Sequence, residues 1–177
     1  MRAALLLSIV IATNTTPLRG QIGANYFDSL NQSQIWINLE PKNLESSPNP
    51  IELNVTASFT GRNLPAAPSF LQLRVQAYCT MYPTHIRQPI LTILADGAPL
   101  VLDGEGGPLQ VSSECSDENN AGHFIVARIS LSMLRQIVAA RVVDIDAFGF
   151  AHTRLLPGDL RALGSFITAV SGGVTVK

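Results

Sequence analysis

Residues 114–123 read ECSDENNAGH, which places Glu114, Asp117 and Glu118 beside Asn119, Asn120, Cys115 and His123 in one short polar island. Those residue types can ligate metals, so metal chemistry is the first possibility. Cys79, His85, Cys115 and His123 supply the ligand types of a Cys2His2 zinc set. Their pairs, Cys79/His85 and Cys115/His123, are mixed in type and too widely spaced for the tight Cys and His pairs that zinc sites use. Asp117, Asn119 and Gly122 stand at the first, third and sixth positions of an EF-hand-like loop. The pattern fails at Ala121, the fifth position, and at Arg128, where a bidentate Glu belongs. Asp, Asn and Gly are also the residues that turns use. No metal and no other cofactor is therefore expected.

Catalysis leaves fewer signs. The chain has no Gly-x-Ser-x-Gly elbow, His-Glu-x-x-His, Cys-x-x-Cys or phosphate-cradling glycine loop. Three histidines remain: His85 in a Pro-flanked loop, His123 at a strand start, and His152 in the run FAHTRL. His152 with Asp144 or Asp146 can be drawn as two parts of a triad, but no local motif names a nucleophile. Recognition is the better fit. The run YCTMYPTHIRQP (residues 78–89) collects Tyr78, Tyr82, His85 and Arg87, and Tyr and Arg combine contact area with hydrogen bonding. Together with Asp117 and Glu118 of the acidic island, these form the expected binding region.

Two cysteines, Cys79 and Cys115, would draw those two loops together. In an oxidising compartment two cysteines usually pair. Closing the intervening loop stabilises by about 4 kcal/mol in the chain-entropy model. The compartment is read from the N-terminus. MRAALLLSIVIA sets one Arg ahead of an apolar block, and the polar TNTTPLRG follows. That is the order of a secretory signal peptide, with cleavage expected after Gly20 and a single domain over residues 21–177.

The elements that must position these residues are mostly strands. In IELNVTASFT, Ile51, Leu53, Val55, Ala57 and Phe59 alternate with polar residues, the period of a strand with one wet face. FLQLRVQAYC alternates in the same way, with Leu71, Leu73, Val75, Ala77 and Cys79 on one side. QIWINL is expected to be the first strand, after a polar lead-in. ILTIL and PLVLD flank an Asp-Gly turn and predict a hairpin. LQVSSE and HFIVARISL flank the acidic island. From Ser130 the pattern changes to a capped helix, then a hairpin about Gly149, then a helix begun by Pro157 and ended at Gly172-Gly173, with a tail expected to fray. Without βαβ alternation, the expected fold is mainly β, of α+β type: an antiparallel β-sandwich or twisted sheet with two short helices in the C-terminal third.

Composition narrows the partners. Charged residues make up 14% and hydrophobic ones 46%, with a net charge of -1. No basic stripe recommends nucleic acid, and no internal run is long enough to span a bilayer. Another envelope protein or a small ligand remains. Nearly all the basic residues are Arg, with only Lys42 and Lys177 as exceptions, which fits a GC-rich bacterial source.

The C-terminal segment SLSMLRQIVAARVVDIDAFGFAHTRLLPGDLRALGSF resembles a pattern in uncharacterised bacterial exported proteins, in which a helix, a strand pair and a leucine-rich helix follow one another. The resemblance implies a fold element and an envelope setting, and it carries no activity. The resulting expectation is an exported, disulfide-containing, non-catalytic binding or structural module of the bacterial cell envelope. The alternative is an exported hydrolase built around His123 or His152. The disulfide is directly testable: peptide mapping of the unreduced mature protein should find Cys79 linked to Cys115, and two free thiols would refute the pairing.

Overall fold

The computed structural model describes residues 20–39, 42–43, 51–64, 68–77, 90–102, 109–115, 120–149, 151–173 and 175–176. Among these residues, eleven strands form two antiparallel sheets. The six-stranded sheet runs in the order β1 (Ile22–Phe27), β2 (Gln32–Leu39), β4 (Ile51–Thr60), β5 (Leu71–Ala77), β9 (Asn120–Ile129), β8 (Gln110–Cys115). The five-stranded sheet runs β3 (Lys42–Asn43), β11 (Ala151–Leu155), β10 (Val143–Ala147), β6 (Leu91–Ala95), β7 (Ala98–Leu100). Two helices, α1 (Leu131–Ala139) and α2 (Pro157–Ser171), lie in the C-terminal third. The mainly β architecture with two short helices is the one expected.

Each sheet has one buried face. Ile35, Ile37 and Leu39 of β2 share theirs with Ile51, Leu53, Val55 and Ala57 of β4, Leu71, Leu73 and Val75 of β5, and Ile125 and Ile129 of β9. Leu91, Ile93, Val143, Ile145, Ala151 and Leu155 do the same for the second sheet, and all of these join one hydrophobic cluster. Helix α2 packs on α1, on β2 and on β11, so it touches both sheets. Its Phe166 is fully buried.

Local chemistry explains the boundaries. The Ser130 hydroxyl accepts the Met133 N–H at 3.1 Å and starts α1. Pro157 occupies the first turn of α2, and the Asp159 carboxylate accepts the Leu156 N–H at 2.8 Å. Asp96 and Gly97 take φ of 51° and 82°, the left-handed pair that a two-residue hairpin turn requires between β6 and β7. The Asp96 carboxylate also accepts the Arg141 and Val142 N–H groups, each at 2.9 Å, which ties that turn to the exit of α1.

Two expectations need correction. The polar lead-in is in fact edge strand β1, paired along its whole length with β2. Its inward residues, Ile22, Ala24 and Tyr26, are only partly buried, so the alternation is weak in sequence. In the C-terminal tail, Thr175 and Val176 are held in place rather than frayed. Thr175 bridges Asn63, the Val176 N–H donates to the Arg62 carbonyl at 2.8 Å, and the Val176 side chain is buried. Burying one apolar side chain and pairing the backbone offsets the ordering entropy there.

Phe166 joins the helix layer to the core, so Phe166→Ala should destabilise by about 3–5 kcal/mol. Urea unfolding of the variant, compared at constant m-value, measures the loss.

Candidate functional site

The predicted binding residues Tyr78, Tyr82, His85, Arg87, Asp117 and Glu118 lie outside the described residues, as does Cys79. Cys115 is the last residue of β8. The strands nevertheless relate the two loops. Strand β5 ends at Ala77, which pairs with His123 of β9, and His123 pairs in turn with Ser113 of β8. Both loops therefore join the six-stranded sheet at the same end. Strand β9 stands between β5 and β8. Disulfide geometry limits the Cα separation to about 7 Å, so a Cys79–Cys115 bond requires the chain after Ala77 to cross the end of β9. Gly122, beside the end of β5, has a φ of 128°, and a Cβ there would meet the Ala77 carbonyl oxygen at 2.7 Å. Only glycine fits that conformation and that approach.

The histidines separate into two environments. His123 is on the inward face of β9, fully buried, with its ring 6.3 Å from that of Phe148. Burial disfavours the imidazolium and pushes the His123 pKa below its ordinary value. His152 is on the outward face of β11 and half-exposed, hydrogen-bonded through Nδ1 to Asp146. Asp144, the other acid considered with it, is taken by Arg154 in a two-pronged pair at 2.6 and 3.0 Å. Those bonds and the Asp144 charge raise the Arg154 pKa further. The structure thus brings His152 and Asp146 together, and places His123 on the core side of the other sheet. A triad needs its nucleophile on the imidazole's far side from the carboxylate. Among the described cross-strand neighbours, Thr92 of β6 carries a hydroxyl, and it pairs with Asp146 rather than with His152. No group of three or more His, Cys, Asp or Glu suited to a metal ion occurs among the described residues.

The site that sequence reasoning missed is a cleft on the outward face of the six-stranded sheet. It encloses about 400 Å³ and is lined by Gln34, Trp36 and Asn38 of β2, Glu52, Asn54 and Thr56 of β4, and Arg74 and Gln76 of β5, with Phe27 of β1 beside them. That volume lies in the range of small-molecule sites. The register builds its rows: Asn38 pairs with Asn54 and Asn54 with Arg74, while Glu52 pairs with Gln76 and Gln76 with Phe124.

The polar groups are ordered with a direction. The Thr56 hydroxyl donates to Asn54 Oδ1 at 2.6 Å, and Asn54 Nδ2 donates to Asn38 Oδ1. The chain of donors therefore ends at the Asn38 amide NH₂. At one side the Trp36 indole lies over Gly23 of the edge strand, so closely that a Cβ at residue 23 would fall 2.4 Å from its ring. At the other side the Arg74 guanidinium stacks on the Phe124 ring at 3.9 Å. Phe124 faces outward yet is only 3% exposed. Glu52 is the one carboxylate in the lining. The lining's amides, its hydroxyl and the Glu52 and Arg74 side chains can donate to and accept from a polar ligand.

Comparison with protein-family models, curated proteins and solved structures finds no match. The functional reading therefore rests on the chemistry of the site.

His123 gives a pH prediction. Its folded pKa lies below the unfolded value near 6.5, so the unfolded chain binds the extra proton and stability falls as pH drops through that range. Chemical denaturation at about pH 7.5 and about pH 5.5 should show the wild type losing stability on acidification, and His123→Gln should lose less.

Proposed function

We propose that the chain is an exported, disulfide-containing, non-catalytic binding module of the bacterial cell envelope, with the cleft on its six-stranded sheet as the recognition surface. The observation that supports this most directly is the cleft itself: a preformed polar concavity flanked by Trp36 and Arg74, with a single carboxylate in its lining. Gln76 in that lining is the residue before Ala77, where the loop bearing Tyr78, Tyr82, His85 and Arg87 begins. The leader-like N-terminus and the two cysteines support the compartment. No helix among the described residues is long and apolar enough to cross a membrane.

The His152–Asp146 pair favours the second reading, an exported hydrolase. Thr92 on the carboxylate's side weighs against it.

One preparation tests both. Expressed with its leader in a bacterial host, the protein should be exported, begin near Gln21, and co-sediment with purified bacterial envelope fragments. Asn54→Ala should reduce that retention several-fold. Retention of Met1, or failure to sediment, refutes the proposal. Turnover of chromogenic esters or peptides that disappears in His152→Ala would establish the hydrolase instead.

A further inference from the structure

We infer that the cleft recognises a neutral saccharide, with Trp36 as the platform for a sugar ring. The inference rests on reading the cleft as a binding site and adds its ligand class. Four of the lining side chains, Gln34, Asn38, Asn54 and Gln76, are primary amides, and Thr56 adds a hydroxyl. A primary amide offers donors and an acceptor side by side, which matches the adjacent hydroxyls of a sugar. The cleft's formal charges, Glu52 and Arg74, cancel, so neither a polyanion nor a polycation is favoured.

The aromatic groups supply the other half of the chemistry. A pyranose ring has polar edges and a face of C–H groups. It therefore suits an apolar plane set beside polar side chains. Trp36 provides that plane because Gly23, lacking a Cβ, lets the indole settle over the edge strand. In β2, Trp36 alternates with Gln34 and Asn38 on the same outward face, so amides lie on both sides of the platform. The Asn38 NH₂ that ends the Thr56–Asn54–Asn38 donor chain is already oriented, so binding orders few further groups. A peptide strand would instead pair along a sheet edge, and a charged ligand would need an unbalanced charge in the cleft.

Trp36 is the chain's single tryptophan, so its emission reports on this site alone. Titration of the mature, oxidised protein with cello-, malto- and N-acetylglucosamine oligomers should give a saturable emission change for at least one series. The affinity should be on the order of millimolar, as for an open, wet cleft, and little altered by 1 M salt. Gly23→Ala leaves every polar group in place but displaces the indole, and should weaken binding roughly tenfold. Asn38→Ala should weaken it with the Trp36 emission of the free protein unchanged. Trp36→Phe, followed by calorimetry, should retain part of the binding that Trp36→Leu loses. No saturable change with any series overturns the inference, as does unchanged affinity in both Gly23→Ala and Asn38→Ala. Envelope fragments separate this failure from failure of the broader reading. Periodate, which destroys vicinal diols, should abolish retention, and protease should not. Retention that survives periodate but not protease overturns the saccharide and leaves the binding module standing.

Discussion

The pleat of the six-stranded sheet is the constraint on which the rest depends. Successive residues of a strand point to opposite faces, so burying Ile35, Ile37 and Leu39 sends Gln34, Trp36 and Asn38 the other way. The same holds for Glu52, Asn54 and Thr56 in β4 and for Arg74 and Gln76 in β5. A slip of one residue in any of these strands would exchange core for cleft. The hydrophobic burial that stabilises the sandwich therefore also holds the polar rows in register. A recognition surface on strands inherits that rigidity, whereas loops would have to be ordered separately.

The edge of the sheet couples stability to recognition. Strand β1 carries only partly buried apolar residues and a glycine, and is held mainly by its backbone ladder to β2. The Trp36 indole covers the backbone at Gly23 and shields what would otherwise be an exposed gap, the pairing by which an aromatic compensates a glycine in a strand. One ring face is committed to the fold, and the packing that commits it also sets its orientation in the cleft. Nearby, Arg62 pairs with Asp28 at 3.1 Å and stacks on Tyr26 at 3.8 Å, while its carbonyl accepts the Val176 N–H. The edge strand, the turn after it and the chain's last residues thus meet in one corner.

The histidines show how placement governs chemistry. His123 and His152 are equally plausible bases on paper. The alternation of β9 buries the first among Ile125, Ala127 and Ile129, where the neutral imidazole is favoured. The alternation of β11 turns the second outward to Asp146. A pair of that kind orients the imidazole and fixes which ring nitrogen faces the carboxylate.

The alternation in residues 51–60 and 71–77, the Asp-Gly turn, the Ser130 cap and Pro157 were legible because each is a local consequence of side-chain type, and the helices and most strands fall where those signals put them. Strand β1 was not, because its inward face carries Ile22, Ala24 and Tyr26 with little burial, and it is made by pairing with β2 rather than by its own pattern. The cleft was hidden for a related reason. In sequence, Gln34, Asn38, Glu52, Asn54, Thr56, Arg74 and Gln76 are simply the wet sides of three strands, indistinguishable from any solvated face. The sequence by itself determined which residues face inward and which outward. Only the tertiary structure decided that β2, β4 and β5 lie side by side, that Gly23 lies under Trp36, and that these wet sides form one concavity. Strand order and register are long-range choices made by burying a common core, and no local pattern encodes them.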